Sequence, residues 1–137
     1  PAVDLVAVHD AVRPFVSVEL IERVIVRAAA TGAAIAGIPP VDTVKQVDQT
    51  RICGTLPRQR IVLAQTPQLF HRDLLLRAYE QAEKEGFVGT DEASLVEHID
   101  VEVWVVLGSD RNIKITRPSD MALARLFLAE ETGRPSA

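Results

Sequence analysis

Asp10 and Arg13 stand where an apolar run, Leu5-Val6-Ala7-Val8, gives way to the charged loop His9-Asp10-Ala11-Val12-Arg13-Pro14. An acid beside a guanidinium can hold hydroxyl, metal and phosphate groups, because the guanidinium donates paired hydrogen bonds while the ionised carboxylate only accepts them. The same two residues can also neutralise each other in a loop. Thr43, Arg58, Thr66 and Lys114 likewise fall in turns or at strand ends. Arg13, Arg58 and Lys114, accompanied by the hydroxyls of Thr43 and Thr66, form the kind of donor set that grips a phosphate ester. Singly, each has an ordinary use: Arg58 and Lys114 as solvated cations, the threonines as turn or strand formers, and Asp91 as a match to a helix dipole.

The elements that must position these groups alternate strand with helix, which predicts an α/β fold with a mostly parallel sheet, flanking helices and a protruding β-arm. Ligands of such sheets bind outside the carboxyl ends of the strands, where Asp10 lies. Leu5 to Val8 reads as a strand covered on both faces. Ser17 caps a helix running to about Ala30, with Glu19 and Glu22 early, Arg23 and Arg27 later, the stripe Leu20, Val24, Ala28, and Gly32 as terminator. Ala33 to Ile38 is the next strand. An arm at about residues 42–60 follows, with a turn at Asp48-Gln49-Thr50; a lone hairpin is marginal in water, so it should pack on another subunit or on the body. Ile61 to Ala64 forms a short strand, and Gln65-Thr66-Pro67-Gln68 leads from it to a helix holding Leu74, Leu75, Ala78 and Ala82 and closed by Gly86. Thr90 can cap another helix, Val101 to Val106 is β-rich, and Asn112 to Thr116 reads as a last strand. Pro118 starts a final helix with a stripe of Leu123, Leu126 and Phe127, and Gly133 to Ala137 reads as a loose tail.

Composition narrows the classes. The 137 residues are 47% hydrophobic and 25% charged, which suits one globular domain. A net charge of -4 with scattered cations gives no footprint for nucleic acid or anionic membranes. Cys53 is the sole cysteine, so no disulfide forms within the chain, and neither a membrane span nor a signal peptide is visible; these features point to the cytoplasm. His9, His71 and His98 have no zinc-ligand spacing with Cys53, and the seven glycines make no phosphate-cradling cluster. No residue is therefore assigned as a metal ligand or cofactor-binding group. The only methionine is Met121 and the first strand begins close to Pro1, so the chain is expected to be the carboxyl-terminal part, residues 1–137, of a larger single-domain enzyme.

Five segments taken in order are more specific than any one of them: His9-Asp10-Ala11-Val12-Arg13-Pro14, Asp42-Thr43-Val44-Lys45, Thr66-Pro67-Gln68, Thr90-Asp91-Glu92-Ala93-Ser94 and Asn112-Ile113-Lys114-Ile115-Thr116. Together they resemble the 2-C-methyl-D-erythritol 4-phosphate cytidylyltransferase family of the non-mevalonate isoprenoid pathway. The resemblance implies part of a Rossmann-like nucleotidyltransferase fold and a homodimer whose arm reaches over the partner. It also implies transfer of a cytidylyl group from CTP to methylerythritol phosphate, with Mg²⁺ as the metal and no protein ligand assigned to it. By position it carries catalytic roles onto Lys114 and Asp10, and substrate-binding roles onto Arg13, Thr43, Arg58 and Thr66, with Thr43 and Arg58 acting across the dimer. The family's glycine-rich amino-terminal half, which holds CTP, is missing, so this chain alone is expected to be inactive. A cytidylyltransferase for another polyol phosphate, such as ribitol 5-phosphate, shares the same anchors. A noncatalytic dimerisation domain is the alternative of another class.

Overall fold

Ser17 accepts a hydrogen bond from Leu20 N at 3.1 Å and starts α1 (Val18–Thr31), which ends on Gly32 in the left-handed conformation. Leu20, Val24 and Ala28 form its buried stripe, as their spacing requires. These residues belong to a computed structural model that describes residues 4–133. The body is a four-stranded sheet in the order β1 (Leu5–Val8), β5 (Leu63–His71), β2 (Ala33–Ile38), β6 (Trp104–Leu107). The arm, β3 (Val44–Asp48) and β4 (Arg51–Leu56), is a separate antiparallel pair.

Successive residues of β2 face opposite sides of the sheet and divide the core in two. Ala34 and Ala36 pack with Leu69, Val106 and the α1 stripe. Ala33 packs with Phe70, Leu75, Ala78 and Val96, on the side of α2 (Arg72–Glu85) and α3 (Glu92–His98). Helices thus cover both faces, as the α/β reading expects. The sheet is mixed, however: β2 and β6 are parallel, while β5 runs antiparallel to both β1 and β2. A parallel neighbour needs a crossover, and the chain goes from β2 to β5 through the arm without a packed helix between them. Since β1 pairs only with β5 among the described strands, it is half-exposed and not covered as expected.

Four further expectations change. β5 does not stop at Ala64 but continues through Thr66-Pro67-Gln68 to His71. Ile35 pairs with Gln68 and Gly37 with Ala64, so residues 65–67 bulge opposite Ala36, and a bulge accommodates a proline that has no N–H to give. The Thr66–Pro67 bond is cis. Asp91, not Thr90, caps α3, its carboxylate accepting from Ser94 N at 2.8 Å. Residues Asn112 to Thr116 are irregular, not a strand, because their polar groups go to side chains and loops instead of a ladder. In α4 (Pro118–Thr132) Ala124 is the buried residue, while Leu123 and Leu126 are exposed; Phe127 meets Phe15 edge-on at 5.5 Å. The expected tail lies, beyond Gly133, outside the described residues.

Candidate active site

The carboxyl end of β1, the β5 bulge and the irregular segment after β6 meet at one end of a cleft of about 850 Å³, whose other end is built by α2 and α3. Asp10, Arg13, Thr66 and Lys114 all line it. The loop after β1 turns tightly, with Arg13 N donating to Asp10 O at 3.0 Å, which brings the two side chains together. Arg13 Nε donates to Asp10 Oδ2 at 3.2 Å, and Lys114 Nζ lies 3.6 Å from the same oxygen. A single carboxylate therefore gathers two cations, leaving one net positive charge.

The two cations are held differently. Arg13 is 11% exposed and commits Nη1 to the main-chain oxygen of Asn112 at 2.7 Å, besides its bond to Asp10. Lys114 is 49% exposed and ends a flexible stem. Lys114 is accordingly the cation with freedom to follow an incoming anion, and Arg13 the one that fixes the shape of the site.

Thr66 is buried and tied on two sides. Its hydroxyl accepts from Asp10 N at 3.0 Å and lies 2.9 Å from His9 Nδ1. Arg13 O, 3.0 Å from His9 Nε2, can only accept, so Nε2 carries the proton and Nδ1 of the neutral ring accepts from the Thr66 hydroxyl. His9 thus latches the turn that holds Asp10 and Arg13. On the opposite side of the bulge, Gln65 reaches Ser109 O at 3.0 Å and Gln68 donates to the capping carboxylate of Asp91 at 2.9 Å. Gly108 leaves room for the first of these, since a Cβ there would stand 2.3 Å from Gln65 Oε1.

At the mouth, Tyr79 donates to Glu92 Oε1 at 3.1 Å. Burial above all, then the negative charge of Glu92 and this hydrogen bond, raises the phenol's pKa above its ordinary value. With Glu80, Glu83 and Asp91 also lining it, this end is acidic, whereas the Lys114 end is cationic. An anion is drawn to the latter.

Of the six expected site residues the fold brings together Asp10, Arg13, Thr66 and Lys114. Thr43 and Arg58 lie elsewhere, exposed at the base of the arm, where Arg58 Nη1 donates to Val41 O. Sequence reasoning passes over His9, Gln65, Gln68 and Asn112. His9 and Asn112 stand beside residues that their chemistry singles out, which is the available signal. Among the described residues no three His, Cys, Asp or Glu side chains converge as metal ligands, and Asp10 is already engaged by two cations. The described residues do not make a magnesium site.

The family model described as IspD, 2-C-methyl-D-erythritol 4-phosphate cytidylyltransferase, matches residues 1–130. A curated relative of that name from Solibacter usitatus (strain Ellin6076) is 61% identical over 98% of this chain and 57% of its own length. One from Acidobacterium capsulatum is 51% identical over 97% of this chain and 57% of its own. The crystal structure of 2-C-methyl-D-erythritol 4-phosphate cytidylyltransferase from Thermus thermophilus superposes with a TM-score of 0.84 at 37% identity, covering 92% of this chain and 62% of that one. The chain thus spans little more than half the length of these curated relatives.

Proposed function

Because this chain belongs to the 2-C-methyl-D-erythritol 4-phosphate cytidylyltransferase family, we propose that it supplies the polyol-phosphate-binding part of an enzyme that joins CTP to methylerythritol phosphate. The convergence of Arg13 and Lys114 on Asp10 beside the Thr66 bulge carries this reading. A phosphate monoester is already anionic and needs no general base to become a nucleophile. One of its oxygens attacks the α-phosphorus of CTP, the bond to the β-phosphate oxygen breaks, and pyrophosphate leaves with the electron pair.

The work left to the protein is placement and charge neutralisation. Lys114 meets the phosphate, and Arg13 and Thr66 hold Asp10 so that its free lone pairs face the polyol hydroxyls. Thr43 and Arg58 reach the same phosphate from the arm of a second subunit, so the enzyme works as a homodimer. CTP is held by residues outside this chain, which alone is inactive. The Mg²⁺ expected of the family would be held by groups that these residues do not provide. The compartment is the cytoplasm, where Cys53, exposed on β4, stays reduced. Among the described residues no helix is long and apolar enough to cross a membrane.

The test is CTP-dependent pyrophosphate release by the full-length protein with methylerythritol phosphate or ribitol 5-phosphate. Turnover with the former at higher kcat/KM is expected. A preference for ribitol 5-phosphate would overturn the substrate assignment, and release with neither would favour the noncatalytic dimerisation domain.

A further inference from the structure

Asn112 is completely buried, and apart from its main-chain N–H, which donates to Ser109 O at 3.0 Å, its hydrogen bonds go to the parts of the site. Its side-chain amide donates to Thr66 O at 2.9 Å and to Gln65 Oε1 at 3.2 Å. Its main-chain oxygen accepts from Arg13 Nη1 at 2.7 Å. Lys114 follows on the same segment, which Ile115 N ties to Val12 O at 2.9 Å. One residue therefore touches the bulge that presents Thr66 and the guanidinium that braces Asp10, and it anchors the stretch that presents Lys114. The orientation of its amide is fixed, because turning it over would set its oxygen against two acceptors, Thr66 O and Gln65 Oε1. Asn112 Oδ1, itself buried, has no hydrogen-bond partner among the described residues. A buried acceptor left unpaired is a cost that a residue with only a packing role would not carry.

We propose that Asn112 is a positioning residue that sets the distances among Thr66, Arg13 and Lys114, and so the fit of the site to the substrate phosphate. The inference rests on the function proposed above. Asn112→Asp has nearly the same shape but presents acceptors to two acceptors, which drives the bulge and the Lys114 segment apart. Asn112→Ala removes the same donors without burying a charge.

Both variants, with Lys114→Ala as reference, are made in the full-length protein and normalised to the folded fraction seen by circular dichroism. Loss of a buried donor predicts a rise of roughly tenfold or more in KM for methylerythritol phosphate in both Asn112 variants. KM for CTP should stay at its parent value, which a general loss of structure would not allow. If N112D does not fold, N112A gives the same readout. An unchanged KM for methylerythritol phosphate, or a parallel rise for both substrates, overturns the role of Asn112 while K114A still impairs turnover. If K114A is also indistinguishable from the parent, the site assignment itself falls.

Discussion

The cleft and the arm carry the same kinds of residue under opposite conditions. In the cleft, Thr66 and Arg13 are held by several hydrogen bonds each, between elements that share a core. On the arm, Thr43 and Arg58 are exposed, and Val41, Val47 and Ile52 show 82%, 57% and 60% of their surface. A hydroxyl and a cation are pre-organised in the first region and only displayed in the second. Binding energy is needed to immobilise displayed side chains, so residues on the arm gain most from a surface that orders them. The apolar side chains beside them fit such a surface.

The strongest way to break this comparison is to disable one residue from each region. Lys114→Ala and Arg58→Ala in the full-length protein should each lower kcat/KM by about a hundredfold or more, by the usual worth of an electrostatic contact to a transition state. If the arm completes the partner's cleft, mixing the two inactive variants restores pyrophosphate release, because one site in each mixed dimer has all its groups. No recovery after subunit exchange would show that Arg58 acts within its own protomer. Gly108→Ala probes the cleft alone: a Cβ 2.3 Å from Gln65 Oε1 forces that side chain off the loop, and denaturant unfolding should record a loss of about 1–3 kcal/mol. Ser17→Ala, which removes the cap of α1, should cost about 1 kcal/mol in the same measurement. Ile52→Lys on the arm should change unfolding by no more than about 0.5 kcal/mol. If the arm packs on a second subunit, the same change should shift sedimentation toward the monomer, which sharpens the contrast between stability and assembly.

The same contrast explains what is legible in the sequence. α1, β2, the arm and α2 are legible because each is specified locally, by a cap, a periodic stripe or a turn. β5 reads too short because a proline in mid-strand argues against a ladder, and only pairing with β2 reveals that residues 65–67 bulge. Asn112 to Thr116 has the β-branched alternation of a strand, but Asn112 donates to Thr66 and accepts from Arg13, 99 positions away in sequence for the latter. Local propensity carries no trace of such partners. Asp10, Arg13, Thr66 and Lys114 are recognisable as a set by their chemistry and order. Their mutual arrangement is not, since it depends on His9, Gln65 and Asn112, whose residue types suggest nothing on their own.

The position of β5 between β1 and β2 also imposes a timetable on synthesis. When the ribosome has delivered residues up to about 60, both neighbours exist, but the strand that joins them does not. Until His71 emerges, β1 and β2 lack the neighbour they share and the facing edge of β2 is open, so the nascent chain carries unsatisfied backbone that can pair with other chains. Helix α1 can already cover the alanines of one face of β2 during that interval. The arm between the two strands pairs β3 with β4, which shortens the intervening chain in space once that hairpin has formed.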